Sequence, residues 1–280
     1  MKGYLLCTDL DRTLIPNGTQ PESALAMERF KRLVGREEIT LAYVTGRHRA
    51  LIEQAIEEYD LPQPDFAIAD VGTTIYRVGS SGWSIWDEWD GLIAPDWQGL
   101  THDGLYRWLS VFSALRLQEE EKQSQHKLSF YVPLESDAKK LLSEMDARLK
   151  YGDIKANLIW SIDERANLGL LDVLPSSASK LHALRFLMQQ QGFGQDNTVF
   201  AGDSGNDLDI LISGTSAVLV ANADAEFKKH VLKANKDALY DSLYVAEGGY
   251  LGMNGNYSAG ILEGVAYHCP EVDNWLREMN

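Results

Sequence analysis

The sequence has only two cysteines, Cys7 and Cys269, among its 280 residues. Secreted domains that depend on disulfides need more, so that class is disfavoured, and both cysteines are expected as small buried apolar residues. No apolar run approaches the roughly 20 residues of a membrane-spanning helix. The short apolar run at the N-terminus reaches Asp9 too soon for a signal peptide. These absences predict a cytoplasmic protein with no membrane partner.

Basic residues are also scarce: 26 Lys and Arg stand against 41 Asp and Glu, which gives a formal net charge of -15. Nucleic acids and anionic membrane surfaces would repel such a chain, so neither is expected as a partner. An anionic small molecule is not excluded, because a local cation or metal ion can reverse the field inside one pocket. The apolar share of 45% is sufficient for a sizeable core.

Near both ends of the chain, short apolar runs alternate with helix-like segments, a pattern typical of a doubly wound sheet. The predicted strands are Tyr4–Thr8, Ile39–Val44, Phe66–Ala69, Thr198–Ala201, Ala217–Val220 and Leu243–Val245. Helices are predicted over Arg47–Tyr59 and Lys180–Gln191. The sequence therefore predicts an α/β fold whose core is a mostly parallel, Rossmann-like sheet.

The middle of the chain differs in composition. It is rich in tryptophan, carries strand patterns that do not alternate with helices, and contains a predicted helix over Asp137–Leu149 with Ser136 as its N-cap. The tryptophans are expected mainly in a small-domain core rather than as a carbohydrate-stacking surface; they are Trp83, Trp86, Trp89, Trp97 and Trp108. We expect an inserted α+β cap domain at 81–173, with the core domain formed by 1–80 and 174–280.

Two polar clusters follow the first two predicted strands. Asp9 and Asp11 alternate in an extended segment, so both can face one site, where one carboxylate can act as a nucleophile while the other exchanges protons. Thr45, Gly46 and Arg47 offer a hydroxyl, backbone N–H groups and a cation that suit a substrate phosphate. Each cluster alone is equally compatible with a solvated loop or a helix cap.

Two further clusters lie after the middle segment. Lys180 begins a predicted helix, where its ammonium could neutralise an attacking carboxylate and phosphoryl oxygens. Asp203 follows a strand and a glycine, and Asp207 lies four residues on. Oxygen ligands at few protein positions suit Mg²⁺, which keeps several of its other ligands as water or phosphate. Each cluster alone could have a purely structural role. All four together, at strand ends or helix starts, favour phosphoryl transfer.

In this order, the clusters resemble the four signature motifs of the haloacid dehalogenase superfamily, in its branch with an α/β cap. The motifs are Asp9–Thr13, Thr45–Gly46, Lys180 and Gly202–Asp207. The chain is similar over most of its length to the sucrose-phosphate phosphatases and their relatives, in the stretches Leu41–Arg47, Val71–Tyr76, His126–Tyr131, Leu171–Pro175, Val220–Ala223 and Ser258–Glu263. It departs from them at Arg12, which replaces a small or amide residue, and in a longer loop at Glu247–Tyr257.

The resemblance implies that Asp9 attacks phosphorus and becomes an aspartyl phosphate, while Asp11 protonates the leaving sugar oxygen and then activates water. It implies Mg²⁺ as cofactor, held by Asp9, the backbone carbonyl of Asp11 and Asp203, with Asp207 in support. Thr45 and Lys180 are expected on the phosphoryl oxygens.

Three further substrate-binding candidates follow from the same resemblance: Asn206 beside the phosphate, Lys127 in the cap and Asn222 in the core. The implied substrate is a sugar phosphate, with a disaccharide phosphate such as sucrose 6-phosphate favoured. The alternatives are a mannosylfructose or mannosylglycerate phosphate, or a sugar phosphomutase reaction. A sugar-phosphate synthase is a candidate protein partner.

Overall fold

The computed structural model describes residues 3–163, 166–238 and 242–278. Its strands are β1 Tyr4–Thr8, β2 Ile39–Val44, β3 Phe66–Ala69, β4 Thr74–Gly79, β5 Gly82–Ile85, β6 Arg116–Leu117, β7 Leu128–Pro133, β8 Ala156–Asp163, β9 Leu168–Pro175, β10 Thr198–Gly202, β11 Ser216–Leu219 and β12 Leu243–Val245. Its α-helices are α1 Ala26–Val34, α2 Arg49–Glu58, α3 Asp87–Ile93, α4 His102–Leu109, α5 Ala138–Tyr151, α6 Lys180–Gln191, α7 Leu208–Leu211, α8 Ala225–Ala238, α9 Ser258–His268 and α10 Pro270–Glu278.

The chain divides into two compact units: Met1–Ser84 together with Lys180–Asn280, and Ile85–Ser179. The first unit is built on the eight-stranded sheet in the order β12-β11-β10-β1-β2-β3-β4-β5. Strands β12 to β3 pair in parallel, and β4 joins β3 antiparallel. This confirms the expected doubly wound α/β class. The domain boundaries at 80/81 and 173/174 stay a prediction.

Alternating side chains give this sheet two buried faces. Leu6, Leu41 and Val199 share one core with helices α1, α2, α9 and α10. Their neighbours Leu5 and Phe200 are also fully buried, and they point to the opposite face because successive strand residues do so. Helices α6 and α7 pack there. Burial on both faces explains why the strands are continuous apolar runs rather than alternating ones.

The second unit is an antiparallel four-stranded sheet in the order β6-β7-β9-β8. One face carries Phe130 and Leu171, which pack with α4 and α5 around Trp97. Helix α5 begins one residue later than predicted: the cap is Asp137, whose side chain accepts a hydrogen bond from the Lys140 N–H, so the Ser136 assignment was wrong. A carboxylate at that position also interacts favourably with the helix dipole.

Three of the five tryptophans, Trp86, Trp89 and Trp97, are buried, as the core interpretation predicts. Trp108 is partly buried against the core of the second unit, whereas Trp83 packs against the core of the first unit and not in the small domain where it was expected. Both cysteines are buried and unpaired, which also agrees with the prediction. None of the helices within 3–163, 166–238 and 242–278 has the length and apolar character needed to cross a bilayer.

Candidate active site

The site lies where three neighbouring parallel strands end. β1 pairs with β10 on one side and β2 on the other, so the residues that follow these strands lie at one edge of the sheet. Asp9 follows β1, Thr45 follows β2 and Asp203 follows β10. The Asp9 N–H donates to the Ala201 carbonyl at 2.9 Å, which extends the parallel hydrogen-bond ladder to Asp9. Parallel pairing thus brings together residues that are nearly 200 positions apart in sequence.

Lys180, the first residue of α6, lies between two carboxylates. Its Nζ is 3.1 Å from Asp9 Oδ1 and 2.8 Å from Asp207 Oδ1, and it donates to Asn206 Oδ1 at 3.3 Å. The Lys180 side chain is 2% exposed and the Asp207 side chain is fully buried. Charges interact more strongly away from water, so this ammonium holds the Asp9 carboxylate firmly.

The carboxylates of Asp9, Asp203 and Asp207 offer oxygen atoms that all lie within 4.8 Å of one another. Asp203 Oδ1 accepts from the Thr13 hydroxyl at 3.1 Å, but the buried Asp203 Oδ2 makes no hydrogen bond and has only an ion-pair contact of 3.5 Å with Arg12 Nε. A buried carboxylate oxygen left unsatisfied is costly, and a group of oxygens with excess negative charge suits a hard divalent cation. The residues present therefore fit Mg²⁺.

The turn after β10 depends on a close approach of its first and last residues. Asp207 Oδ2 accepts from the backbone N–H groups of Asp203 and Ser204, at 3.2 and 3.3 Å. A Cβ at Gly202 would lie 2.6 Å from the same Asp207 oxygen. Any side chain there would push the carboxylate away, so Gly202 is needed to keep Asp207 beside Lys180.

Asp11 is held in a tight ion pair. Arg47 donates from Nε to Asp11 Oδ2 at 2.8 Å and from Nη2 to Asp11 Oδ1 at 2.7 Å, and the Asn17 amide donates to Oδ1 at 2.7 Å. Nη1 of Arg47 donates to the Leu51 carbonyl. Within the described residues the guanidinium of Arg47 makes a bidentate pair with Asp11, and its expected role on the substrate stays a prediction.

Burial and charge shift the acidity of these groups. Burial raises the pKa of Asp9 to about 7; the Lys180 charge opposes this shift and that of Asp207 adds to it. Burial and the Asp207 charge likewise raise the pKa of Asp203 to about 6, against Arg12 and Thr13. Burial alone would lower the pKa of Lys180, but the Asp207 and Asp9 charges raise it above its usual value.

For Asp11, burial would raise the pKa, but the hydrogen bonds and charge of Arg47, with help from Asn17 and Lys180, hold it below the usual range. Asp11 is therefore the member of the Asp9–Asp11 pair that favours the ionised form most strongly. Its carboxylate lies outside the three-aspartate group, since that group contains Asp9, Asp203 and Asp207. A metal contact through its backbone carbonyl stays a prediction.

The remaining candidates are placed differently. The Thr45 hydroxyl is buried and accepts from the Arg47 N–H at 3.2 Å, which leaves its own hydrogen to donate. Asn206 is exposed beside Lys180. A Cβ at Gly46 would make only an ordinary contact of 3.8 Å, so packing does not require glycine there. Phosphate binding by these residues stays a prediction.

Lys127 and Asn222 are both buried. Lys127 is a buried residue of the second unit, directly before β7. Asn222 is 3% exposed, and its amide donates to the Arg12 carbonyl and accepts from the Tyr257 N–H. One N–H and one lone pair of the Asn222 amide are used inside the protein, and its expected contact with substrate stays a prediction.

In EDTA, the contribution of Asp9 and Asp203 to the free energy of unfolding is expected to fall as pH rises from about 4 to 7. Asp9 and Asp203 keep protons to about pH 7 and 6 when folded, but release them near pH 4 when unfolded, so the folded state binds more protons in this range. Urea denaturation across pH 4–8 measures the slope. Asp203→Asn should flatten it, whereas the exposed Asp209→Asn should not; equal slopes in wild type and Asp203→Asn would contradict the assignment.

A buried lysine among three aspartates, at the carboxyl edge of a doubly wound sheet, is the arrangement expected of the haloacid dehalogenase superfamily. The sequence model of one family within this class, sucrose-6F-phosphate phosphohydrolase, matches residues 2–269. The chain belongs to that family.

Similar proteins come from bacteria and plants. The chain is 53% identical to a HAD-like hydrolase of Nitrosococcus oceani, over 97% of this chain and 73% of that protein. It is 32% identical to the Arabidopsis thaliana protein named sucrose-phosphatase 2, over 83% and 54%. It is 30% identical to the mannosylfructose-phosphate phosphatase of Agrobacterium fabrum, over 78% and 83%. The chain thus spans about half the length of the plant relative.

Among solved structures, the sucrose-phosphatase from Synechocystis, in complex with sucrose and phosphate, superposes with a TM-score of 0.73. The two chains are 25% identical, and the match covers 96% of this chain and 98% of that one. Both the sheet and the inserted unit are therefore shared with a phosphatase of this family.

Proposed function

We propose that the protein is a magnesium-dependent sugar-phosphate phosphatase that works through an aspartyl phosphate on Asp9. The observation that carries the proposal is the buried contact of Asp9 with Lys180, next to Asp203 and Asp207. Phosphoryl transfer needs little covalent chemistry from the protein beyond a placed nucleophile, so positioning and charge neutralisation provide most of the rate. Asp9, together with Lys180, Asp203 and Asp207, supports both positioning and charge neutralisation.

In the first half-reaction, a carboxylate oxygen of Asp9 forms a bond to phosphorus as the bond to the sugar oxygen breaks. Asp11 gives that oxygen its proton, and Lys180 and Thr45 neutralise and orient the phosphoryl oxygens. In the second half-reaction, Asp11 takes a proton from water as the water oxygen attacks phosphorus, which releases phosphate and restores Asp9. Mg²⁺, held by Asp9, Asp203 and Asp207, would supply positive charge to the phosphoryl group.

The ion pair between Arg47 and Asp11 favours the role of Asp11 in the second half-reaction. Because Arg47 keeps the pKa of Asp11 low, the ionised form that accepts a proton from water is favoured. To donate a proton to the leaving sugar oxygen, Asp11 must first be protonated. This requires a weaker contact with Arg47 when substrate binds.

Sucrose 6-phosphate is the substrate we favour, and the family match and the Synechocystis relative support it. A mannosylfructose phosphate is the second candidate, supported by the Agrobacterium relative. We propose that the unit Ile85–Ser179 acts as the cap that selects the leaving sugar, with Lys127 as its candidate contact. Arg12 and the Glu247–Tyr257 loop are the departures that bear on the choice between these sugars.

Phosphate release from a panel of sugar phosphates, with Mg²⁺ or with EDTA, tests the proposal. We expect magnesium-dependent release from sucrose 6-phosphate, with a kcat/KM at least about tenfold above that for monosaccharide phosphates. A smaller sugar loses a few hydrogen bonds to the protein, and such a loss produces discrimination of this size. Preference for mannosylfructose phosphate would move the substrate but keep the class. Transfer of the phosphoryl group to sugar instead of water would identify a phosphomutase. Equal release in EDTA and Mg²⁺ would contradict the metal assignment.

A further inference from the structure

The amide of Asn222 bridges two loops of the first unit. Its Nδ2 donates to the Arg12 carbonyl at 2.5 Å, and its Oδ1 accepts from the Tyr257 N–H at 2.8 Å. The residue is 3% exposed, so water does not replace either bond easily. A side chain that donates at one end and accepts at the other is required here, and neither a carboxylate nor an aliphatic side chain does both.

Both residues that Asn222 binds have a backbone conformation that is unfavourable for L-amino acids. Arg12 has φ 59°, and Tyr257 has φ 51° with ψ -131°. Residues other than glycine persist in such conformations only where the surrounding structure determines them. The Asn222 amide is the group that fixes one backbone atom of each, so it stabilises two strained positions together.

Tyr257 also contacts the far end of the loop 12–20 through its side chain. The Tyr257 hydroxyl donates to the Gln20 carbonyl at 3.1 Å. A Cβ at Gly18 would lie 2.7 Å from the same hydroxyl, so the loop and the tyrosine are in close contact. Asn222 at one end and Tyr257 at the other therefore hold the whole loop that follows the nucleophile.

The turn at Arg12 also positions Asp11. The Arg12 N–H donates to Asn17 Oδ1 at 2.8 Å, and the Asn17 amide donates to Asp11 Oδ1 at 2.7 Å. The Arg12 side chain reaches Asp203, with Nε 3.5 Å from Oδ2. A change in the backbone dihedral angles of Arg12 would move the partners of both Asp11 and Asp203, because the N–H, the side chain and the carbonyl held by Asn222 all belong to this residue.

We propose that Asn222 is a positioning residue: by holding the Arg12 carbonyl against Tyr257 it fixes the loop 12–20 and thereby the direction of the Asp11 carboxylate. Its effect on turnover rests on the proposed function, whereas its effect on the loop does not. Asn222 contacts neither Asp9 nor Lys180 in the described contacts, and its influence passes through Arg12 and Asn17.

The test compares Asn222→Asp with Asn197→Asp. Asn197 is a matched control, since its buried amide also bridges two segments, donating to the Gly3 carbonyl at 2.9 Å and accepting from Gly194 N–H at 2.7 Å, but at the opposite edge of the sheet. We expect Asn222→Asp to lower kcat about 100-fold with KM within about threefold, as a small misplacement of a catalytic group does. Asn197→Asp should lower only the melting temperature.

Hydrogen exchange of residues 12–20 gives a readout that needs no substrate. Exchange should accelerate at least about tenfold in Asn222→Asp and not in Asn197→Asp. If wild type released no phosphate from any sugar, the proposed function would fail while this comparison still decided the role of Asn222. Exchange and kcat in Asn222→Asp that match those of Asn197→Asp would overturn the proposal.

Tyr257→Phe tests the second contact that holds the loop, even if Asn222→Asp does not fold. It removes only the hydroxyl that binds Gln20 and leaves the Tyr257 N–H on Asn222. We expect faster exchange confined to the second half of the loop and a kcat about tenfold lower. Wild-type exchange and kcat in this variant would contradict the claim that the Tyr257 hydroxyl holds the far end of the loop.

Discussion

Asp9→Asn is expected to lower kcat for phosphate release by at least about 10⁴-fold while the protein stays folded. An amide oxygen is a far weaker nucleophile than a carboxylate oxygen, so the bond to phosphorus no longer forms at a useful rate. The shape of the side chain is kept, and its oxygen can still accept from Lys180, which lies 3.1 Å from Asp9 Oδ1. Since burial raises the pKa of Asp9, removing this charge should not lower the melting temperature.

Phosphate release and thermal melting on the same preparations check this expectation. Intact-protein mass after acid quenching adds a direct observation: wild type turning over substrate should carry one phosphoryl group, and Asp9→Asn none. Asp209→Asn, at an exposed position of α7, is the matched control. Turnover in Asp9→Asn above about a hundredth of wild type would exclude Asp9 as the nucleophile.

Lys180→Met is expected to cost about 3–5 kcal/mol of unfolding free energy at neutral pH and to abolish turnover. Lys180 is buried between Asp9 and Asp207, so its removal leaves buried carboxylates without the cation they share. The loss should shrink when Mg²⁺ is added, because the ion restores positive charge to the same group. Urea denaturation with EDTA and with Mg²⁺ measures both quantities.

A double-mutant cycle separates two contributions to the cost of Lys180→Met: buried carboxylates left without a cation, and lost packing of the lysine side chain. Asp207→Asn alone should also destabilise, because its partner Lys180 then loses its shorter contact. In Lys180→Met with Asp207→Asn, part of the stability should return, since one buried carboxylate has been neutralised. Additive losses, or a cost below about 1 kcal/mol for Lys180→Met, would mean that the pair does not stabilise the folded state.

The sequence predicted the sheet and the positions of the main candidates because both follow from local patterns. Strands buried on two faces are apolar throughout, and the residues at their carboxyl ends are polar. Asp9, Thr45 and Asp203 each interrupt such a run, so their placement at one edge could be inferred before any contact was known. Lys180 is harder, because its burial depends on packing of α6 that no local pattern shows.

The partners of individual side chains could not be predicted in this way. Arg47 follows a phosphate-binding pattern, yet it pairs with Asp11, which lies 36 positions earlier. Asn17 carries no periodicity or motif, and only the turn at Arg12 brings its amide to Asp11. Thr13 lies within the first motif, but its bond to Asp203 spans 190 positions. Such contacts are set by tertiary packing and loop conformation rather than by spacing.

The pairing of β1 with β10 also determines when the site can assemble during synthesis. β1 finds its β2 neighbour after about 40 residues, but Thr198 of β10 is made only after the whole segment Ile85–Ser179 has emerged. Until then one edge of β1 has unpaired backbone groups, and an unpaired hydrophobic edge attracts other chains. The nascent first half is therefore a stage at which this protein is exposed to aggregation, and Asp9 gains Lys180, Asp203 and Asp207 only after the segment Ile85–Ser179 has been made.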